Sequence, residues 1–213
     1  MDIAIIDYKM SNLHSVKAAC NKVGISSVIT SDIGQILDSK VAILPGVGAF
    51  GEAMSHLAKL KLDNCIYKYL ETGRPFIGIC LGLQLLFDTS EEFGDNSGLG
   101  IIKGSVKKFE VSTKNSIRNP VPQISWNRIR KNNYPWVNTL LSNNQNNDFM
   151  YFVHSYYVEL EDDSYALTKT IYGETEYCSS IQYDNIFATQ FHPEKSGQKG
   201  LKIYKELKKK ISE

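Results

Sequence analysis

Short apolar runs alternate with amphipathic stretches along the first half of the chain. Four segments have the length and apolar or β-branched character of strands: Ile3–Ile6, Ser27–Thr30, 41–44 and 76–79. Apolar residues at helical spacing predict helices over 13–23, from Glu52 onward, and over 62–71. Ser11 is placed to cap the first of these helices. A continuous apolar run is typical of a strand buried on both faces. The alternation therefore predicts an α/β fold with an open, mostly parallel central sheet flanked by helices.

The second half of the chain is richer in strands. We predict strands, several of them antiparallel, over 106–109, Phe149–His154, 165–170, 177–182 and 186–190. The segment 142–148 contains five Asn or Gln residues and is predicted to be an exposed loop. A final helix is predicted from Ser196 onward. We find no repeat and no linker, so we expect a single domain over residues 1–213 with an additional antiparallel portion of sheet.

One cysteine stands where a strand is predicted to turn into a helix. Cys80 follows the run 76–79 in the pattern Gly78-x-Cys80-x-Gly82, and the apolar stretch 83–87 predicts the helix behind it. Glycines permit a tight backbone, and a sharp strand-to-helix turn is where a nucleophile elbow presents its side chain. A helix N-terminus also favours the thiolate. Free cysteine is often a core residue, but this context favours a catalytic nucleophile.

A histidine and a glutamate lie close together near the C-terminus, in His192-Pro193-Glu194. The proline favours an extended conformation for His192, and side chains two residues apart in an extended chain point the same way. His192 can exchange protons near neutral pH, and Glu194 can fix its tautomer. Either residue alone fits an ordinary surface position. Together with Cys80 they predict a Cys-His-Glu triad.

A glycine-rich turn with the sequence PGVG spans residues 45–48. Ligands of open α/β sheets bind at the carboxyl ends of strands, so this turn and Cys80 are expected to face one crevice. The backbone N–H groups of Gly48 and Leu81 would then form an oxyanion hole. A phosphate cradle is the alternative interpretation, but the turn lacks the Gly-Lys-Ser/Thr of a P-loop.

Charge and composition argue against several classes of partner. The 24 basic and 23 acidic residues nearly cancel, so no basic surface for nucleic acid or an anionic membrane is indicated. The first apolar run is too short for a signal peptide or a membrane span. The four cysteines are scattered, without a CxxC or a His at metal-ligand spacing. This pattern is typical of a reduced, cytoplasmic protein without a structural metal.

With these motifs in place, the chain is similar to the class I, triad-type glutamine amidotransferases. The segments 78–84 and 191–195 are specific for that family. Among its members, the chain resembles the glutaminase subunits of imidazole glycerol phosphate synthase in four places: 45–50, Asn12-Leu13, Trp126-Asn127 and 152–156. The resemblance runs over nearly the whole chain. The glutaminase of pyridoxal phosphate synthesis differs at the oxyanion loop and is less similar.

The resemblance implies hydrolysis of L-glutamine to glutamate and ammonia without a cofactor. Cys80 would form a thioester, His192 would transfer protons, and Glu194 would orient His192. Several positions match residues that hold the α-amino and carboxylate groups of glutamine or make a further contact with it. They are Gln84, Glu92, Ser155 and Tyr156.

The resemblance also implies a protein partner, in a heterodimer. In the family, ammonia passes into a (β/α)8-barrel synthase subunit, where it enters a phosphorylated ribulosyl intermediate, and the partner's ligand activates the glutaminase. The positions that match this subunit interface are Asn12, Gln123, Trp126, Tyr156 and Lys195.

Two segments depart from the family pattern. Lys9 and Ser11 stand where glycine is usual, and Gln123 and Ser125 stand where His and Gly are common. Drift within the histidine pathway explains these differences. The alternative is a paralogue that supplies ammonia to another barrel synthase, as in the amidination of surface sugars. A non-catalytic scaffold and a stand-alone cysteine hydrolase are further alternatives. The intact triad argues against the scaffold, and the interface residues argue against the stand-alone hydrolase.

Overall fold

The structure is a computed structural model that describes residues 1–10, 12–110 and 119–212. Its helices are α1 (Leu13–Lys22), α2 (Ile33–Asp38), α3 (Phe50–Lys59), α4 (Leu62–Glu71), α5 (Leu81–Gln84) and α6 (Gly197–Ser212). Its strands are β1 (Ile3–Ile6), β2 (Ser27–Thr30), β3 (Val41–Gly46), β4 (Phe76–Cys80), β5 (Phe87–Ser90), β6 (Asn96–Ser97), β7 (Ile102–Lys108), β8 (Gln123–Arg128), β9 (Arg130–Lys131), β10 (Phe149–His154), β11 (Tyr156–Leu160), β12 (Ala166–Tyr172), β13 (Thr175–Tyr183) and β14 (Ile186–Thr189). Short 3-10 turns span Asp163–Tyr165 and Pro193–Lys195.

Parallel strands form the centre of the main sheet, in the order β2-β1-β3-β4-β14. Every residue of β1, β3 and β4 is buried because helices cover both faces of the sheet. Ala4 and Ile6 pack with side chains of α3 and α4 on one face, while Ile3 and Ile5 pack with those of α1 and α6 on the other. The mostly parallel, helix-flanked sheet predicted from the apolar runs is therefore confirmed.

The second half of the chain extends the same sheet with antiparallel strands. β13 pairs antiparallel with β14, and the order continues through β11, β7, β5 and β6; of these pairs only β5 with β7 is parallel. β12 lies beside β13, and β9 lies beside β12. Across the described ranges, β8 and β10 form a separate two-stranded antiparallel ribbon. The antiparallel portion is thus present, and β14 joins it to the parallel strands.

Within the described ranges, no helix is both long and apolar enough to cross a bilayer.

The helix predicted over 83–87 is wrong in position and length. α5 is a single turn that begins directly after Cys80, and Phe87 already belongs to β5. Phe87 pairs with Ile102 of β7, so the apolar run ends at the first residue of a strand, of which Phe87 and Ser90 are buried. A short apolar run has no periodicity that distinguishes a buried helix from a buried strand.

The prediction of an exposed loop over 142–148 is only partly right. Asn144 and Asp148 are buried, and Nδ2 of Asn144 donates to Oδ2 of Asp148 at 3.1 Å. Asp148 also forms a salt bridge with Lys199 of α6 at 2.7 Å, which ties this segment to the last helix. Sequence reasoning missed α2, β8 and β11. Ser11, the expected cap of α1, lies outside the described residues, and α1 follows Asn12.

Candidate active site

Cys80 ends β4 and lies on a sharp turn into α5. Its φ of 55° and ψ of −108° are rare for a residue with a Cβ. A Cβ on Gly82 would lie 1.8 Å from the carbonyl oxygen of Leu44, and one on Gly78 would lie 2.9 Å from the carbonyl oxygen of Gly82. Glycine at both positions therefore allows the close approach of β3, β4 and α5 that holds Cys80 in this conformation.

The glycine-rich turn over 45–48 lies beside Cys80. Gly46 pairs with Cys80 across β3 and β4, and Gly48 has a φ of 114°. A Cβ on Gly48 would lie 2.8 Å from Cε of Met10, so the segment before α1 packs on this turn. Gly48 and Leu81 line the same cavity as Cys80. The structure thus brings the two residues expected to form the oxyanion hole next to the nucleophile.

His192 and Glu194 form a buried pair. Nδ1 of His192 lies 2.8 Å from Oε1 of Glu194, and the two side chains are 3% and 2% exposed. His192 is extended as expected, but Pro193–Lys195 forms a 3-10 turn, so the extended conformation expected for Glu194 is wrong. The fixed φ of Pro193 suits the first position of a helical turn. Because a carboxylate only accepts, Nδ1 carries the proton and Nε2 is the nitrogen available to Cys80.

The surroundings of His192 favour its protonated form. Burial alone would lower the pKa of His192, but charge and hydrogen-bond interactions with Cys80, followed by those with Glu194, raise it to about 10. Nε2 is buried without a partner at regular hydrogen-bond geometry among the described residues, so its interaction with Cys80 is loose. Such contacts often tighten only when substrate binds. The arrangement favours an imidazolium beside Cys80.

A cavity of about 260 Å³ lies in front of Cys80. Its lining includes the expected oxyanion and substrate-binding residues: Gly48, Leu81, Gln84, Glu92, Ser155 and Tyr156. It also includes Val47, Pro122 and Val153, which were not themselves predicted as site residues. Pockets for drug-sized ligands measure about 300–1,000 Å³. The cavity is therefore of a size that suits one amino acid.

Glu92 connects this cavity to the first turn of α3. Its Oε2 accepts a hydrogen bond from the backbone N–H of Phe50 at 2.7 Å. Ala49, the N-cap residue, offers no side-chain cap, so the Glu92 carboxylate satisfies a free donor at the positive end of the helix. Burial raises the pKa of Glu92, and this hydrogen bond partly offsets the increase.

His154 is a buried histidine that lines the cavity. Its Nδ1 donates to the carbonyl oxygen of Tyr156 at 2.8 Å, and its Nε2 lies 3.3 Å from the hydroxyl of Tyr177. Burial lowers the pKa of His154 to about 3. His154 is therefore uncharged near neutral pH.

Sequence reasoning missed Gln190, a fully buried residue that contacts the nucleophile. Its Nε2 donates to Sγ of Cys80 at 3.6 Å, and its Oε1 accepts from Nε2 of Gln84 at 3.0 Å. The strand register explains the first contact. Thr189 of β14 lies opposite Ile79 of β4, so the next residues of the two strands, Gln190 and Cys80, become neighbours.

The residues expected at a partner interface differ in exposure. Trp126 is 52% exposed, and Asn12 and Lys195 are also exposed. Tyr156 is only 9% exposed and lines the cavity. Asn12, Trp126 and Lys195 are thus accessible to a partner in this structure.

Gln123 does not lie on the surface, contrary to the interface role expected for it. Its side chain is fully buried, and its Oε1 accepts a hydrogen bond from the hydroxyl of Tyr177 at 3.0 Å. Side chains alternate along β8, so Ile124 and Trp126 face outward while Gln123 faces inward. A direct contact between the Gln123 side chain and a partner is incompatible with this arrangement.

Comparison with known proteins agrees with this geometry. Residues 4–208 match the family Glutamine amidotransferase class-I. A solved structure of a glutamine amidotransferase matches with a TM-score of 0.73 over 100% of both chains, at 13% identity. The structure of PurLQS from Thermotoga maritima matches with a TM-score of 0.71 and 19% identity, over 99% of this chain and 98% of that chain. At these identities the structural likeness shows the fold alone.

The chain belongs to the class-I glutamine amidotransferase family. Within that family, it groups with imidazole glycerol phosphate synthase subunit HisH. The HisH subunit of Aquifex aeolicus is 46% identical over 211 residues, covering 99% of this chain and 97% of the relative. That of Sulfurimonas denitrificans is 42% identical over 207 residues, covering 97% of each.

Proposed function

We propose that this chain is a glutaminase subunit that hydrolyses L-glutamine to glutamate and ammonia. The ammonia passes to a (β/α)8-barrel synthase subunit that makes imidazole glycerol phosphate in histidine biosynthesis. The observation that carries this proposal is the position of Cys80, in a strained strand-to-helix turn, beside the buried His192–Glu194 pair. The names of the full-length relatives support the pathway.

The residues at the cavity account for each step of the hydrolysis. The Cys80 thiolate attacks the carboxamide carbon, a C–S bond forms, and the carbonyl oxygen becomes an oxyanion held by N–H groups of Gly48 and Leu81. The C–N bond then breaks while His192 protonates the departing ammonia. Water adds to the thioester with His192 accepting its proton, and release of glutamate restores the thiolate. Glu194 keeps Nδ1 of His192 protonated and the ring oriented.

The polar residues of the cavity suit the amino-acid end of glutamine. We assign Gln84, Ser155 and Tyr156 to its α-amino and carboxylate groups and Glu92 to a further contact. The raised pKa of Glu92 reflects burial, with no cationic partner among the residues that the structure describes. An α-ammonium group in the cavity would supply that charge and favour the carboxylate form. Glu92 thereby favours a ligand that carries an α-ammonium group over an amide that lacks one.

We propose that the exposed residues Asn12, Trp126 and Lys195 belong to the surface that meets the synthase.

All four cysteines of the chain are free thiols, which supports a reducing, cytoplasmic location. We treat residues 1–213 as one domain, since β14 joins the parallel and antiparallel parts of a continuous sheet. L-Glutamine and the synthase subunit are then the two partners.

Glutamate release from glutamine tests this proposal. The assay is run with the chain alone, and then with the histidine-pathway barrel subunit of the same organism and its nucleotide ligand. We expect a low basal rate, a steep increase with the liganded partner, and no activity in Cys80→Ala. If that partner gives no stimulation while Cys80 still reacts with iodoacetamide, the assignment to the histidine pathway is wrong. A paralogous synthase then becomes the partner to test.

A further inference from the structure

The orientation of the Gln190 side chain follows from its neighbours. The carbonyl oxygen of Tyr156 lies 2.9 Å from one end of the Gln84 amide. A carbonyl oxygen only accepts hydrogen bonds, so this end of Gln84 must be the NH2 group, Nε2. The second proton of the same nitrogen points to Gln190, 3.0 Å away. The atom of Gln190 that faces Gln84 must therefore be its oxygen.

This orientation leaves the NH2 group of Gln190 facing the nucleophile. Nε2 of Gln190 lies 3.6 Å from Sγ of Cys80. The polar group on another side of the sulfur is the carbonyl oxygen of Val153, at 3.8 Å, which can accept the proton of the thiol but repels a thiolate. Of the Gln190 amide and the Val153 carbonyl oxygen, only the Gln190 amide stabilises the ionised form of the sulfur. Hydrogen bonds to an ionised group are stronger than those between neutral groups.

We propose that Gln190 is a further catalytic residue, whose side-chain amide donates an N–H to the Cys80 thiolate and holds the Gln84 amide in a single orientation. Gln190 is fully buried, and its position level with Cys80 is set by the pairing of β14 with β4. The same contact stabilises the attacking thiolate and the thiolate that leaves when the thioester is hydrolysed. Both NH2 protons of Gln84 are used internally, so only its Oε1 is available to an α-ammonium group. This role in turnover rests on the proposed glutaminase function.

Gln190→Glu separates the two contacts. The variant has nearly the same shape, and an oxygen can still accept from Nε2 of Gln84, but the N–H that faces sulfur is replaced by a carboxyl oxygen, which repels a thiolate. The rate of alkylation of Cys80 by iodoacetamide reports the thiolate fraction as a function of pH. We expect the midpoint of this profile to rise by about one pH unit or more, equivalent to a tenfold smaller thiolate fraction at a fixed lower pH. We also expect kcat to fall with little change in the KM for glutamine.

Asn185→Asp is the matched control. Asn185 also donates from its side-chain amide, to the carbonyl oxygens of Leu70 and Arg74, but it lies at the opposite end of β14 from Gln190. The control is expected to lower stability without moving the alkylation midpoint. An unchanged midpoint in a folded Gln190→Glu variant would overturn the inference.

A measurement on the unsubstituted protein covers the case in which Gln190→Glu does not fold. With 15N-labelled glutamine side chains, one NH2 pair should shift with the titration of Cys80, and this response should disappear in Cys80→Ala. Absence of such a pair contradicts the N–H···S contact. The two proposals can fail independently, because alkylation requires no glutamine. If the unsubstituted protein releases glutamate but the alkylation profile of Gln190→Glu is unchanged, only the role of Gln190 is rejected. If that profile shifts but the unsubstituted protein releases no glutamate, only the glutaminase function is rejected.

Discussion

The hydroxyl of Tyr8 lies directly against Gly46. A Cβ on Gly46 would come within 2.3 Å of Oη of Tyr8 and 2.7 Å of Cβ of Leu81. Tyr8 is fully buried, and its hydroxyl has no hydrogen-bond partner in the part of the chain that the structure describes. Since Gly46 pairs with Cys80, Tyr8 supports the end of β3 that faces the nucleophile.

We expect Gly46→Ala to lower the free energy of unfolding by about 1–3 kcal/mol, because the added methyl group overpacks this contact. Tyr8→Phe removes both the clashing oxygen and an unpaired buried polar atom, so it should recover part of the loss in the double variant. Urea unfolding of the two single variants and the double variant measures this coupling. Additive losses would show that the two residues do not interact.

Glu92→Gln should raise stability near pH 7 while weakening glutamine binding. The folded-state pKa of Glu92 is raised by burial, so the folded protein binds the proton more tightly than the unfolded chain does. Stability is therefore lost as pH rises from the unfolded pKa of Glu92 through its folded pKa. A neutral amide avoids this loss and still accepts from Phe50. Urea midpoints and the KM for glutamine check the two effects.

Glu92→Ala is the control for the preceding variant. It also removes the acceptor for the Phe50 N–H at the start of α3, so it should lose about 1 kcal/mol relative to Glu92→Gln. Equal stability of the two variants would contradict the capping role.

His154 should make the protein less stable in mild acid. Its folded-state pKa is about 3, because it is buried, against an ordinary value of 6.5. Between these values the unfolded chain binds a proton that the folded protein does not, so stability falls as pH decreases through this window. The slope approaches about 1.4 kcal/mol per pH unit. Urea unfolding at pH 7 and pH 5 should therefore differ less in His154→Gln than in the unsubstituted protein. If stability falls equally between pH 7 and pH 5 in both proteins, His154 is not the group that causes the loss.

Lys9→Gly should stabilise the protein. Lys9 has a φ of 72°, a conformation that costs a residue with a Cβ roughly 1 kcal/mol or more. Lys9 also forms an exposed salt bridge with Asp7 at 3.2 Å. Lys9→Ala removes the salt bridge but keeps the strained φ, and we expect it to change stability by no more than about 0.5 kcal/mol. Thermal unfolding of both variants separates the backbone effect from the charge effect.

The two tryptophans should respond in opposite ways to substitution by alanine. Trp136 is 6% exposed and its Nε1 donates to the carbonyl oxygen of Leu167 at 3.0 Å, so Trp136→Ala should cost about 3–5 kcal/mol of stability. Trp126 is half exposed, and Trp126→Ala should leave stability and Cys80 alkylation nearly unchanged but weaken association with the barrel subunit. Unfolding curves and sedimentation with that subunit measure both. Unaltered association of Trp126→Ala would exclude this surface as the interface.

The elements that could be predicted from sequence are those with local signals. β1, β2 and α4 were predicted with the bounds that the structure shows, since their apolar patterns end at clear polar or glycine positions. The helix predicted over 83–87 extends too far, into the first residue of β5, because this short run has no usable period. The triad and cavity residues are predicted from motifs, and their roles stay predictions. Gln190 and the link from Glu92 to Phe50 were missed because each depends on a contact between distant parts of the chain.

The insertion of β14 between β4 and β13 has a consequence for biosynthesis of the enzyme. The ribosome completes the turn at Cys80 long before it makes the strand that precedes His192, so a nascent chain carries Cys80 without His192. Until β14 arrives, β4 has an unpaired edge in the middle of the future sheet, which is a template for wrong pairing with other chains. The native pairing of β14 with β4 joins segments that are far apart in the chain, and pairing of this kind is slow to form. β14 thus closes the sheet and brings His192 next to Cys80 in the same event, which makes late synthesis the stage most exposed to aggregation.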